Sequence, residues 1–183
     1  MLGFFRDVSK LRSVLYFKKK GGLLMYDFFL SHSSKNKELA KIIYYTSLAN
    51  GLSVWYDERY LKPGNHLRES IKRGIQESAG YLLLCSQEAL ESKWVPVEIE
   101  LAKDKKSRDP NFVLTVVLLD DSQPPEWLMK YKYIKWNRED EPGSTLELIS
   151  HLTGKEPVTT ITRSEDDLFG IILATTTLTG AYL

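Results

Sequence analysis

Residues 81–85, Tyr-Leu-Leu-Leu-Cys, form a short apolar run with no polar alternation. A strand with one wet face alternates polar and apolar side chains, so an unbroken run fits a central strand covered on both faces. Residues 112–119 read as another buried strand. Around these two runs the chain switches between strand-like and helical patterns. Residues 24–30 read as a first strand ending in the polar group Ser31, His32, Ser33 and Ser34. Residues 52–56 read as a second strand, and residues 133–136 alternate like an edge strand. Leu39, Ile42, Ile43 and Thr46 mark one helical face, stopped at Gly51. Leu67, Ile71 and Ile75 mark another, with Asn65 as its cap, and Leu146, Ile149 and Leu152 a last one, ended by Gly154. Strands separated by helices imply parallel pairing through right-handed crossovers, hence an α/β fold with a doubly wound sheet of about five strands and helices on both faces. Ligand crevices of such sheets lie beyond the carboxyl ends of the strands. Here those ends carry Ser31, His32, Asp57, Ser86 and Asp120.

The stretch from Ser92 to Ala102 concentrates chemistry at one helix start. Pro96 lacks an amide donor and its ring clashes inside a helix, so the helix is expected to begin at Val95 or Pro96. Trp94 then stands at its mouth. Glu98 falls in the first turn, where the macrodipole favours a carboxylate by about 0.3 to 1 kcal/mol. Leu101 and Ala102 recur at helical spacing, which aims Glu98 toward the rest of the domain. An aromatic surface and a carboxylate one turn apart suit a flat cationic ring with a neighbouring positive charge. The same residues also fit a helix that is merely capped electrostatically, with Trp94 as a core anchor.

Composition narrows the classes of function. The chain has 183 residues, 43% of them hydrophobic, enough for one domain plus extra segments. Twenty-five basic and 24 acidic residues leave a net charge of +1, which speaks against a nucleic-acid binder. The single cysteine, Cys85, sits in an apolar run, so a disulfide framework is excluded, and a reducing, cytoplasmic setting and a structural thiol are expected. No secretory signal is readable. The longest uncharged stretch, residues 168–183, is threonine-rich and shorter than the roughly 20 residues of a spanning helix, so a soluble protein is expected.

Three parts follow: an N-terminal extension at 1–22, a domain at 23–154 and a C-terminal extension at 155–183. In the first, Phe4, Val8, Leu11 and Leu15 recur at helical spacing before Lys18, Lys19, Lys20 and the pair Gly21 and Gly22, which read as a helix stop. Such a basic amphipathic helix suits docking on the domain or a second copy, a membrane surface or a partner protein. The last is the least legible, with a threonine bias that favours extended structure and a possible short helix at 171–174.

Neither phosphate-binding glycine loop nor metal-ligand helix motif is present. His32, His66 and His151 lack a second ligand at metal spacing, and no metal is expected. Ser34 and Lys37 make a serine-x-x-lysine pattern that reads as helix capping.

Taken together and in order, residues 26–34, residues 51–57, residues 61–71, Ser86, and Ser92-Lys-Trp94 with Glu98 resemble a Toll/interleukin-1 receptor (TIR) domain of the bacterial type, across residues 25–154. The resemblance implies a flavodoxin-like fold. It also implies an NAD nucleosidase or cyclase, with NAD as substrate and no cofactor, releasing nicotinamide plus ADP-ribose or a cyclic form. Glu98, four residues after Trp94, takes the catalytic position. Ser33, Ser34, Asp57, Trp94 and a loop aromatic contribute to the family's pocket. That aromatic falls here on His66, whose imidazole stacks less strongly than tryptophan or phenylalanine. A fixed carboxylate can suffice, because nicotinamide leaves neutral and needs no proton, unlike the alkoxide in most glycosidases. The alternative within the family is a non-enzymatic adaptor working through TIR–TIR assembly. Self-association through residues 58–65, with Glu58 and Asn65 at its ends, a downstream effector sensing a nucleotide product, and a role in bacterial antiphage defence are further implications.

Overall fold

The computed structural model describes residues 19–20, 23–24, 26–56, 67–131 and 133–155. Five strands, β1 (Phe28–Ser31), β2 (Val54–Trp55), β3 (Gly80–Cys85), β4 (Val113–Leu118) and β5 (Tyr133–Lys135), form one sheet in the order β2-β1-β3-β4-β5. Every neighbouring pair is parallel. This is the flavodoxin-like order, with β1 and β3 flanking the point where the winding reverses. All six residues of β3 are buried, as its unbroken apolar run requires. On β5 only the middle residue is buried, which suits the sheet's edge.

Helices α1 (Lys37–Ala49) and α5 (Glu141–Thr153) belong to one face, where Ile43, Tyr44 and Leu148 pack with Phe28, Leu30, Leu82 and Val117. Helices α2 (Leu67–Gln76) and α4 (Val95–Arg108) cover the other, where Ile71, Ile75, Ile99 and Ala102 meet Phe29, Trp55, Tyr81 and Leu83. A short helix, α3 (Gln87–Leu90), links β3 to α4. Gly51 and Gly154 take positive φ at the helix stops assigned to them. Gly74 has a different task. A Cβ there would lie 2.5 Å from the Trp55 indole, so the missing side chain lets α2 settle flush on the ring. That ring stacks on Phe29, with centroids 4.4 Å apart.

Three expectations are corrected. The first strand is not 24–30. Leu23–Leu24 pairs antiparallel with Lys19–Lys20, and β1 starts only at Phe28. Asp27 explains the break: its carboxylate accepts from the Ser53 N–H at 2.7 Å and hydroxyl at 2.9 Å, and such local side-chain bonds compete with a regular ladder. The strand pairing of Lys19–Lys20 likewise replaces the helix stop read there. The inward stripe of α5 is wider than Leu146, Ile149 and Leu152: Ser144, Thr145 and Leu148 are buried with Ile149, Leu152 packs half-buried against the core, and Leu146 is half-buried. The amphipathic reading of residues 1–18 and the readings of residues 156–183 lie outside the described residues. No helix among the described residues is long and apolar enough to cross a membrane.

Candidate active site

Pro96 stands in the first turn of α4, which begins at Val95. Its missing N–H falls among donors that a helix start leaves unpaired, and Ser92 Oγ accepts the one beside it, from Val95, at 3.0 Å. The Glu98 N–H then bonds to the Trp94 carbonyl at 2.9 Å. Indole and carboxylate therefore rise from neighbouring positions one turn apart. Val95, Glu98, Ile99, Ala102 and Lys105 make the buried stripe of α4, and Glu98 is 6% exposed.

The carboxyl end of β1 meets that carboxylate. Ser31, the last residue of the strand and 1% exposed, donates from Oγ to Glu98 Oε2 at 2.5 Å. Side chains alternate along a strand, so Ser31 shares the face of Phe29, the face that α4 covers. On β3, Tyr81 is paired with Phe29 and fully buried. Burial first, and then the negative charge of Glu98, hold its phenol well above the usual value, while the Ser31 hydroxyl pulls it down and Cys85 adds a smaller upward push. The Tyr81 hydroxyl is thus close enough to sense both residues, yet it makes no hydrogen bond of normal geometry.

Trp94 is half-buried against the same core. The Lys93 ammonium lies 5.0 Å from its ring centroid, so the indole already receives a positive charge on its face. Ser33 is buried and donates to Asn36 Oδ1 at 2.5 Å. Ser86, at the end of β3, donates to the same oxygen at 3.0 Å, while its Oγ caps α3 by accepting the Ala89 N–H at 3.2 Å. Asn36 thereby ties the loop after β1 to the end of β3. Ser34 opens a single 3-10 turn (Ser34–Asn36) and is exposed. The cap expected of it is not realised: the cap positions fall on Ser33 and Asn36, and neither side chain caps. Asp57 and His66 lie outside the described residues.

Two other polar groups at strand ends serve the scaffold. Asp120 accepts the Gln87 N–H at 3.0 Å and the Ser122 N–H at 2.9 Å. Burial pushes its pKa up, but bonds from Ser122 and Gln87 and the charge of Arg138 outweigh that and hold it below the usual carboxylate value. Cys85 is buried, with its thiol pushed up by burial. Among the described residues no group of three His, Cys, Asp or Glu side chains is placed to hold a metal ion.

The site therefore unites Glu98 and Trp94 from α4 with Ser31, Ser33, Asn36 and Ser86 from the ends of β1 and β3. Its fold position and order of elements can be compared with known proteins. A sequence profile described as TIR domain matches residues 28–149, from the start of β1 into α5. The chain belongs to the TIR-domain family. It is similar to the probable 2' cyclic ADP-D-ribose synthase TcpO of Methanobrevibacter olleyae, with 40% identity over 76 residues, 41% of this chain and 22% of that protein. It is also similar to the NAD(+) hydrolase TcpC of Escherichia coli O6:H1, with 29% identity over 90 residues, 49% of this chain and 29% of that one. The chain spans less than a third of the length of either relative. Among solved structures, the TIR domain of the Toll-related receptor TRR-2 of Hydra magnipapillata matches with a TM-score of 0.58 at 15% identity, over 70% of this chain and 99% of that one, a likeness of fold.

Two contributors to this TIR domain's site escape a reading of pattern alone. Asn36 carries no signal of its own, because its role depends on two hydroxyls from separate loops. Tyr81 reads as one more residue of an apolar run. Ser31 had a visible signal, a hydroxyl closing an apolar strand, but its partner on α4 lies 67 residues away.

Proposed function

We propose that this TIR domain cleaves the bond between nicotinamide and ribose in NAD, with Glu98 as the catalytic residue. One observation carries the reading: a carboxylate is buried at the crevice end of the sheet, in the first turn of a helix, beside an indole. Taking a carboxylate out of water costs several kcal/mol, and a site that must stabilise a cation gives that cost a purpose. The names of the relatives, a cyclic ADP-ribose synthase and an NAD hydrolase, support the same chemistry.

In the proposed step the C1′–N bond breaks and its electron pair stays with nicotinamide, which leaves as a neutral molecule. Positive charge develops on the ribose carbon and ring oxygen. Glu98 holds the ribose hydroxyls and stabilises that charge, and Trp94 stacks on the nicotinamide end. Water attacking the carbon gives ADP-ribose and a proton. A hydroxyl elsewhere in the same molecule gives a cyclic ADP-ribose and a proton. NAD enters as substrate, with no separate cofactor. Ser33, Ser34, Asp57 and His66 complete the binding surface, and residues 58–65 of one copy pack against a neighbour, so turnover per subunit falls on dilution. The setting is cytoplasmic, and the role is bacterial antiphage defence, through NAD loss or a nucleotide product sensed by an effector.

Chromatography of NAD after incubation with the protein tests the reading. Wild type should release nicotinamide together with ADP-ribose or a cyclic form, and Glu98→Gln should lower release by about a hundredfold to a thousandfold. Equal release by both folded proteins would dispose of it.

A further inference from the structure

We infer that Ser31 is a positioning residue that sets the carboxylate of Glu98 for the reaction; the inference rests on Glu98 being the catalytic residue. Ser31 stands on a central strand, opposite Leu83 of β3, so its backbone is fixed by the ladder and only its hydroxyl can turn. Glu98 stands at the start of a helix on a side chain with three rotatable bonds. Left alone, such a chain samples several staggered rotamers. The bond between them, 2.5 Å long and enclosed on both sides, sets direction more sharply than the apolar packing around it. An ionised carboxylate can only accept, so Ser31 must donate, and it occupies one of roughly four lone-pair directions. Through that bond Oε2 is anchored to the sheet.

The Tyr81 hydroxyl supports this assignment. It is enclosed beside both residues; the Ser31 hydroxyl pulls its pKa down while the charge of Glu98 pushes it up, so the donor to the carboxylate is Ser31 and not the phenol. A hydroxyl kept only for folding would satisfy backbone groups, as Ser78 does with the Gly74 carbonyl at 2.7 Å. Ser31 instead reaches a side chain on the helix that opens the crevice.

Three variants and two readouts test this. Ser31→Ala should lower kcat for nicotinamide release by about tenfold to a hundredfold with little change in KM, because misplacing a reacting group harms the transition state more than binding. Ser31→Thr, which keeps the hydroxyl, should restore most of the rate. Adding Ser31→Ala to Glu98→Gln should cost nothing further, since Ser31 acts through Glu98. The second readout does not depend on turnover. Three-bond couplings of the Glu98 methylenes, measured by nuclear magnetic resonance in selectively labelled protein, should report one rotamer in wild type and an average in Ser31→Ala. A Ser31→Ala protein with wild-type kcat, or with Glu98 still in one rotamer, overturns the inference. So does an equal loss in both backgrounds, which would mark Ser31 as merely structural. If wild type releases no nicotinamide, the functional reading fails while the couplings still decide whether Ser31 holds Glu98.

Discussion

At the C-terminal end of α4, Lys105 is 7% exposed and its ammonium donates to the carbonyls of Ile75, Gln76 and Ser78 at 3.0, 2.8 and 2.5 Å. Two turns earlier on the same buried stripe, Glu98 is 6% exposed and accepts the Ser31 hydroxyl. Both are buried charges on one helix, and their surroundings differ. An ammonium has three donors, and all three of these find acceptors around the C-terminal end of α2, where the helix dipole is negative. Burial pulls the Lys105 pKa below its usual value, with Asp109 pulling it back, but the charge completes one helix and joins it to another. Glu98 lies where α4 meets the carboxyl ends of the strands, under a hydroxyl from the sheet. Burial marks both residues; place in the fold separates a fastener from the residue proposed to react.

The largest stability effect should come from breaking the fastener. Lys105→Met leaves three carbonyls without their donor, and urea denaturation should show a loss of about 2 to 3 kcal/mol, while nicotinamide release per folded molecule stays at the wild-type level. Gly74→Ala comes next. Alanine is the better helix former by about 1 kcal/mol, but its Cβ would press on the Trp55 ring, and overpacking of about 1 to 3 kcal/mol should leave the variant less stable. A gain in stability would show that α2 can shift on the ring.

Asp120 gives a smaller effect that depends on pH. Its folded pKa lies below the ordinary value of 3.8, so the unfolded chain takes up the proton first. The stabilisation is therefore present above about pH 4 and fades as the pH falls through the folded value. Asp120→Asn should flatten that part of the acid unfolding curve, by less than about 1 kcal/mol for a partly exposed group. Smallest of all is Tyr81→Phe. A buried hydroxyl without a hydrogen bond of normal geometry contributes little to folding, so the melting temperature should stay level or rise slightly. A clear fall would mean that Tyr81 has a partner in solution and shares in holding Ser31.

The sheet was legible because periodicity reports burial directly. Residues 81–85 and 112–119 read as covered strands, and β3 and β4 fall within one residue of those bounds at each end, with Val113 at the start of β4 exposed. The start of β1 was not legible, since Asp27 looks like one polar residue in an apolar run until Ser53 is seen beside it. Glu98 and Trp94 stood out because proline fixes a helix start to within a residue and the carboxylate follows by counting. Asn36 did not, and neither did the pairing of Ser31 with Glu98, because hydrogen bonds across 50 and 67 residues leave no trace in local spacing. The packing face of α5 was legible in part: Ile149 and Leu152 do pack inward, while Thr145 and Leu148 widen the face on a side that the apolar spacing did not show.

The most direct test sets the two buried charges against each other in one experiment: nicotinamide release from NAD per folded molecule by Glu98→Gln and by Lys105→Met. The account predicts a loss of at least about a hundredfold for Glu98→Gln and a wild-type rate for Lys105→Met. Release by Glu98→Gln at the wild-type rate would contradict it.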